Sequence, residues 1–144
     1  MTFDKNEAKS ENAVFEFNLR NDTFISVSQN GITSNDYEML ENILTIKKEF
    51  LSSFAANETY TFVVHFSYGE VEVSIKVINT TPPYSQQASK NFNLSSPSDV
   101  VFSVETYENK LIALTGNNIT AEDYAFENKT LTIFKSYLSS REAG

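Results

Sequence analysis

Apolar and polar residues alternate along several short stretches of the chain, with the period of two that a half-buried β-strand shows. The alternation is strongest in three stretches: residues 13–19, 60–66 and 71–77. Between the first two, Phe50 and Phe54 recur at one-turn spacing, which predicts a short helical turn over residues 49–54. The pattern therefore predicts an all-β domain with one helical turn that crosses between sheets.

Turn signals separate these stretches at the spacing of a β-sandwich. Asn30-Gly31 is the strongest of them, because both residue types tolerate positive φ. Seven short strands over residues 3–78 predict an immunoglobulin-like antiparallel sandwich, with Tyr60 at the tyrosine-corner position. The predicted core consists of Phe15, Phe17, Ile25, Val27, Leu44, Ile46, Tyr60, Phe62, Val64, Phe66, Val73 and Ile75.

The chain contains a tandem repeat. A shift of 87 residues aligns residues 13–53 with residues 100–140 without a gap, and about a third of the aligned positions are identical. Tyr37 and Tyr124 are equivalent positions in the two copies. Repetition over this length predicts two units of the same fold.

The repeat predicts three segments: a complete module at residues 1–79, a linker at 80–90 and a second module at 91–144. Pro82-Pro83 stiffens the linker. The second module lacks the counterparts of the first module's last two strands, so part of its core should face water. Disorder and strand exchange with another chain are possible outcomes, but we expect the natural protein to continue past Gly144.

Charge and composition exclude several partners. The net charge of −8 disfavours nucleic acid and anionic membranes, both of which attract basic surfaces. The chain has no cysteine, so it has neither disulfides nor thiolate metal sites. The first residues lack the apolar core of a signal peptide, so secretion would mean that this sequence is a fragment.

A motif at the end of the fifth predicted strand resembles a known family. The first copy reads Leu44-Thr-Ile-Lys-Lys-Glu-Phe-Leu-Ser-Ser after Asp36-Tyr37, and the second contains Lys135-Ser-Tyr-Leu. The chain thereby resembles the X-two modules, immunoglobulin-like modules of cellulosomal scaffoldins and secreted bacterial endoglucanases. One copy is complete and the other is truncated at its C-terminus.

The resemblance implies a non-catalytic module outside the cell or at its surface, in a longer carbohydrate-active protein. Its partners would be neighbouring modules of the same polypeptide and, as an alternative, polysaccharide or cell wall. The motif's recurrent residues are structural, so the resemblance assigns no binding residues. The favoured function is a spacer in a cellulase-like, scaffoldin-like or surface protein, and a stalk repeat of an adhesin is a weaker candidate.

Searches for reactive groups give no catalytic, cofactor or metal residues. The single histidine, His65, falls on an outward strand position. Glu70 and Glu72 share that face, but a glycosidase dyad needs ~5–9 Å across a cleft, which a flat hairpin does not offer. Calcium ligation was considered for three aspartates without the spacing of a dedicated loop: Asp22, Asp36 and Asp123.

Sugar binding by exposed tyrosines is the alternative function, because aromatic rings stack on sugar faces. Tryptophan, the best stacking residue, is absent, which counts against this alternative. Three tyrosines align with core positions of the repeat: Tyr37, Tyr124 and Tyr137. The remaining candidates are Tyr68 at a hairpin tip, Tyr84 in the linker and Tyr107 in a turn. They form no repeated platform, so the sequence alone favours the spacer.

Overall fold

A computed structural model of the chain describes residues 1–85, 87 and 89–141. The chain divides into two compact units, Met1–Thr81 and Pro82–Gly144. The first unit contains β1 (Thr2–Asp4), β2 (Ala13–Glu16), β3 (Phe24–Ser28), β4 (Tyr37–Leu40), β5 (Ile43–Ile46), α1 (Lys48–Leu51), β6 (Glu58–Phe66) and β7 (Gly69–Ile78). The second contains β8 (Tyr84–Ser85), β9 (Val100–Glu105), β10 (Tyr124–Glu127), β11 (Thr130–Ile133) and α2 (Lys135–Ser139).

The first unit is the expected all-β sandwich. One sheet has the order β1-β7-β6-β3 and the other has the order β2-β5-β4. The helical turn α1 follows β5 in one sheet and precedes β6 in the other, as the broken alternation predicts. The β1–β7 pair is parallel, whereas the other described pairs are antiparallel.

The core of the first unit comes from the inward positions of both sheets. The largest fully buried side chains are Phe62, Leu44, Ile46, Leu51, Ile75, Val64 and Val77. Eleven of the twelve predicted core residues are buried or packed against this cluster. Five buried residues among those described were not in the predicted core: Phe3, Ala13, Leu51, Ala56 and Val77. Phe3 lies in a strand of three residues, which is too short to show periodicity.

Ile25 is the one predicted core residue that the structure contradicts, because its side chain is 61% exposed. The register of β3 against β6 shifts between Phe24 and Ser26, as in a β-bulge. An extra residue at a bulge reverses the alternation locally. Phe24 and Val27 therefore both face the core, and Ile25 faces water.

The corner before β6 has the predicted tyrosine-corner geometry. The Tyr60 hydroxyl donates a hydrogen bond to the Ala55 carbonyl oxygen at 3.3 Å. Its ring lies against Phe54, with 4.3 Å between ring centroids. The hydroxyl thus ties the chain between α1 and β6 back onto the start of the strand.

The second unit repeats one sheet of the first. Its strands have the order β10-β11-β9, which corresponds to β4-β5-β2. Val100 pairs with Ile133, just as their repeat equivalents Ala13 and Ile46 pair in the first unit. The strand order and register of this sheet are therefore common to the two units.

The second unit departs from the repeat at residues 111–115, which have no strand although they correspond to β3. In the first unit β3 is held by β6, and the second unit's described residues include no equivalent of β6. Ile112 is 97% exposed, and none of the described residues of this unit is buried. The third strand of the repeat is thus absent from the described residues of this unit. That the second module lacks its last two strands stays a prediction.

The predicted linker contains a strand that the sequence did not indicate. Tyr84 and Ser85 form β8, which pairs with Glu105 and Val104 at the edge of β9. The second compact unit accordingly begins at Pro82, inside the predicted linker of residues 80–90. The module boundaries at residues 79 and 91 stay a prediction.

Candidate functional site

Two of the three tyrosines selected from the sequence meet in the second unit. Tyr84 lies in β8, and Tyr107 lies in the turn after β9. Their ring centroids are 6.3 Å apart and the ring planes are inclined by 38°. Because Tyr84 pairs with Glu105, two residues before Tyr107, strand pairing brings the two rings together.

The turn after β9 holds Tyr107 in an unusual backbone conformation. Tyr107 has φ 49° and Glu108 has φ 71°, both in the left-handed region that residues with a side chain seldom adopt. Their repeat equivalents, Arg20 and Asn21, have φ values of 46° and 71°. The turn belongs to the repeated architecture, and a tyrosine at this position is specific to the second unit.

A groove of about 280 Å³ lies beside Tyr84. Its walls are the end of β9 and the turn between β10 and β11. The lining residues are Tyr84, Ser103, Val104, Glu105, Asn128, Lys129 and Thr130. An aromatic ring thus stands next to hydroxyl, amide, carboxylate and ammonium groups.

An ion pair fixes the polar side of this groove, which we call the tyrosine groove. Lys129 Nζ lies 2.9 Å and 3.0 Å from the two carboxylate oxygens of Glu105. The Tyr107 backbone N–H donates to the same carboxylate at 2.9 Å. These hydrogen bonds, that of Lys129 first, hold the pKa of Glu105 below its ordinary value, so the carboxylate is charged at neutral pH.

The Tyr107 hydroxyl keeps its proton more firmly than a free tyrosine. Desolvation, followed by the neighbouring Tyr84 and Glu105, raises the pKa of Tyr107 above 10.0. The Tyr107 ring is therefore neutral near pH 7 and can donate a hydrogen bond through its hydroxyl. Tyr84 is 51% exposed, so part of its ring is open to a ligand.

The arrangement is suited to binding a neutral polyhydroxylated molecule. Aromatic rings present apolar faces together with a hydroxyl, and a few fixed polar groups beside them give orientation. Glu105 and Lys129 satisfy each other, so the groove offers paired charges rather than an excess of one sign.

Tyr68, the third candidate, belongs to the first unit and is 88% exposed at the turn between β6 and β7. Asp22 holds this turn: its carboxylate accepts hydrogen bonds from the Tyr68 and Thr23 backbone N–H groups, at 3.1 and 2.8 Å. The Ser67 hydroxyl donates to the same oxygen. A cleft of about 190 Å³, lined in part by Asp22, lies near the turn without Tyr68 among its lining residues.

The Asp22 contacts predict a pH-dependent stability. Hydrogen bonds, that of Ser67 first, hold the pKa of Asp22 below its ordinary value of 3.8. A carboxylate whose pKa is lowered by folding stabilises the folded state at pH values above its pKa in the unfolded chain. This stabilisation is lost as the pH falls through its pKa in the folded protein. We expect acidification below about pH 4 to lower the Tm of wild type more than that of Asp22→Asn, measured by circular dichroism.

The matched control for that comparison is Glu72→Gln, which removes one carboxylate from the outer face of β7. Its Tm should follow the wild-type acid dependence. If Asp22→Asn and Glu72→Gln show equal acid dependence, the hydrogen bonds to Asp22 do not stabilise the turn.

The sequence did not indicate a series of side-chain contacts on the outer face of the β3–β6–β7 sheet. Ser28 Oγ lies 2.7 Å from His65 Nε2, and His65 Nδ1 lies 3.3 Å from Glu70 Oε2. The connectivity is that of a hydrolytic triad, but His65 and Glu70 are 33% and 63% exposed. Oxyanion stabilisation requires preorganised donors in a site from which water is excluded. We interpret these three side chains as a surface contact between neighbouring strands.

The aspartates considered for calcium instead close turns. Asp36 accepts hydrogen bonds from the backbone N–H and hydroxyl of Thr33, at 2.7 and 2.8 Å. Asp123 makes the equivalent contacts with Thr120, at 2.7 and 3.0 Å. Within residues 1–85, 87 and 89–141, no three acidic or histidine side chains group as metal ligands would. The described helices are also too short to cross a membrane.

Comparison with protein families gives a match over the first unit. The model of carbohydrate binding domain X2 matches residues 1–76, which is more than half of the chain. Among curated proteins, cellulose-binding protein A of Clostridium cellulovorans is 28% identical over 161 aligned residues. That alignment covers the whole of this chain and 8% of the relative, so the chain spans a small part of the relative's length.

Parts of larger solved structures align with this chain. A tri-modular endo-beta-1,4-glucanase of Bacillus licheniformis aligns with 99% of this chain and 33% of its own, at 12% identity and a TM-score of 0.43. Extracellular domains 3–5 of Drosophila OTK align with 94% of this chain and 49% of their own, at 14% identity and a TM-score of 0.41.

Proposed function

The chain belongs to the carbohydrate binding domain X2 family, and from this premise we propose that it is a non-catalytic, polysaccharide-contacting part of a larger carbohydrate-active protein. The proposed parent is a secreted bacterial protein, so the chain would work outside the cell or at its surface. The similarity to a cellulose-binding protein supports this setting. The proposed ligands are polysaccharide and cell wall, and the proposed partners are neighbouring modules of the same polypeptide.

The observation that carries the proposal is the pairing of Tyr84 and Tyr107 beside the tyrosine groove. From the sequence alone, three separate tyrosines favoured a spacer over a binding module. The Tyr84 ring lines the groove and is half exposed, and the Tyr107 ring, 6.3 Å away and outside the lining, supports it from one side. The Glu105–Lys129 pair and Asn128 are close enough to Tyr84 to orient sugar hydroxyls at the same groove.

Co-sedimentation of the full chain with insoluble cellulose, chitin and isolated cell wall tests the proposal. We expect wild type to be retained on at least one of these, and Tyr84→Ala to bind it about fivefold more weakly, because a stacked ring contributes about 1 kcal/mol. Tyr68→Ala is the matched control, since Tyr68 is exposed but lies outside the tyrosine groove. Equal loss in the two variants would contradict a specific role for the groove.

A spacer is the second candidate, and the linker favours it. Pro82 and Pro83 restrict the chain just before β8, and β8 is attached to the edge of β9. The proline pair and the β8–β9 pairing both leave fewer freely rotating residues in the segment that joins the two units. Uniform failure of wild type and both variants to bind any of the three materials would support the spacer and contradict polysaccharide contact.

A further inference from the structure

The second unit shows an extended segment added to the edge of its sheet. Tyr84 and Ser85 pair antiparallel with Glu105 and Val104. The Val104 N–H donates to the Lys129 carbonyl at 2.8 Å, on the β11 side. Because successive residues of an extended strand direct their backbone groups to opposite edges, those of Glu105 face β8.

Among the described residues, none pairs with the equivalent edge of the first unit. The Phe17 N–H donates to the Asn42 carbonyl at 2.8 Å, which reproduces the contact between Val104 and Lys129. Asn18, the equivalent of Glu105, therefore directs its backbone N–H and carbonyl away from β5. Asn18 is exposed, and no hydrogen bond engages it within residues 1–85, 87 and 89–141.

Space is available beside this edge. A shallow groove of about 510 Å³ is lined by Glu16, Phe17, Asn18, Leu19 and Asn42. Three of these residues are the repeat equivalents of Ser103, Val104 and Glu105, which line the tyrosine groove next to Tyr84. An open strand edge of this kind is a template for pairing with another extended chain.

We propose that the edge at Phe17 and Asn18 accepts the linker segment 82–85 of a second copy of this chain, by antiparallel β-addition. Tyr84 of the second copy lies opposite Asn18, and Ser85 lies opposite Phe17, which is the register observed at β9. Pro82 and Pro83 keep the incoming segment extended before it binds. On its own unit the segment is held by two residue pairs, so it can leave β9 and bind the second copy. The contact between copies also has two residue pairs, so it is weak and exchangeable.

The repeat indicates that the segment bound at this edge is residues 82–85 of a second copy. The repeat places residues 84–85 on the edge that corresponds to Phe17 and Asn18, so the segment already fits that backbone geometry. The pairing takes residues 84–85 from β9, so a molecule whose segment is bound to a second copy no longer holds Tyr84 against Tyr107. The hydrogen-exchange test follows the Asn18 backbone amide and not sugar binding, so this proposal and the proposed function can fail separately.

Residue-resolved hydrogen exchange on the full chain tests the proposal. The Asn18 amide should exchange more slowly as protein concentration rises, and a synthetic peptide of residues 79–85 should produce the same protection at low protein concentration. Asn18→Pro, which removes the donor, should lower the peptide's affinity about tenfold. Asn18→Ala keeps the backbone N–H and should bind the peptide like wild type.

A peptide methylated on the Tyr84 backbone nitrogen provides a second control that does not alter the protein's fold. It keeps the tyrosine ring and loses one backbone donor, so it should protect Asn18 poorly. The proposal is overturned if the Asn18 amide shows no protection from peptide or protein concentration. Equal binding of the methylated and unmethylated peptides would also overturn it, as would association that protects β11 and leaves Asn18 unchanged.

Discussion

Replacing Phe62 with alanine should lower the free energy of unfolding of the first unit by about 3–5 kcal/mol. The Phe62 side chain is fully buried between the two sheets. Its ring meets Phe54 and Phe50 edge-on, with centroids 6.0 and 6.4 Å away. Truncation removes these contacts and leaves a cavity, and the loss approaches the whole stability of a small domain.

The matched control is Ile25→Ala, which truncates an apolar strand residue that the bulge in β3 turns outward. We expect a change of about 0.5 kcal/mol or less, as for surface substitutions. Urea unfolding of the full chain, followed by β6 and β7 amide signals, measures both variants. A cost for Ile25→Ala comparable with that of Phe62→Ala would contradict the observed register of β3.

A second large effect on the free energy of unfolding is expected when two leucines at equivalent positions of the repeat are compared. Leu44 in β5 is fully buried, whereas Leu131 in β11 is partly exposed. We expect Leu44→Ala to cost about 2–5 kcal/mol and Leu131→Ala about 1 kcal/mol, because water already reaches part of the second side chain. The two substitutions have the same chemistry and the same strand register, so the comparison tests how completely each leucine is covered.

Residue-resolved urea unfolding separates the two units, since β5 and β11 each give their own amide signals. The β11 amides should also exchange faster than those of β5 in the wild-type chain. Equal costs for Leu44→Ala and Leu131→Ala, together with equal protection of β5 and β11, would show that the second unit has a complete core.

Most of the first unit could be predicted because its long strands carry strict alternation. The nine residues of β6 and the ten of β7 place Phe62, Val64 and Ile75 inward without ambiguity. Ile25 was predicted wrongly because a bulge adds one residue, and the apolar pattern does not show where a bulge falls. The resemblance to the X-two modules is confirmed by the family match over residues 1–76, while the second copy stays a prediction.

The candidate site was less predictable than the fold. Each tyrosine could be selected for its exposure, but bringing Tyr84 to Tyr107 requires β8, a strand of two residues. Two residues next to a proline pair show no periodicity from which a strand can be inferred. The repeat could have helped, because Tyr107 corresponds to Arg20 and so marks a feature particular to the second unit.

The contact of Ser28, His65 and Glu70 was missed for a similar reason. Outward strand positions could be assigned from the alternation, but the pairing of β3 with β6 could not. Strand neighbours that are far apart in sequence depend on the topology of the whole sandwich, which local pattern does not determine.

The central claim is that paired tyrosines of the second unit contact polysaccharide, and a ring-specific titration tests it most directly. The chain has seven tyrosines and no tryptophan, so labelled tyrosine rings can be followed individually by NMR while a soluble cello-oligosaccharide is added to the full chain. The account predicts that the Tyr84 and Tyr107 ring signals shift together and saturate, while the Tyr68 signal stays in place. Shifts of Tyr68 alone, or no shift of any ring at saturating sugar, would contradict it.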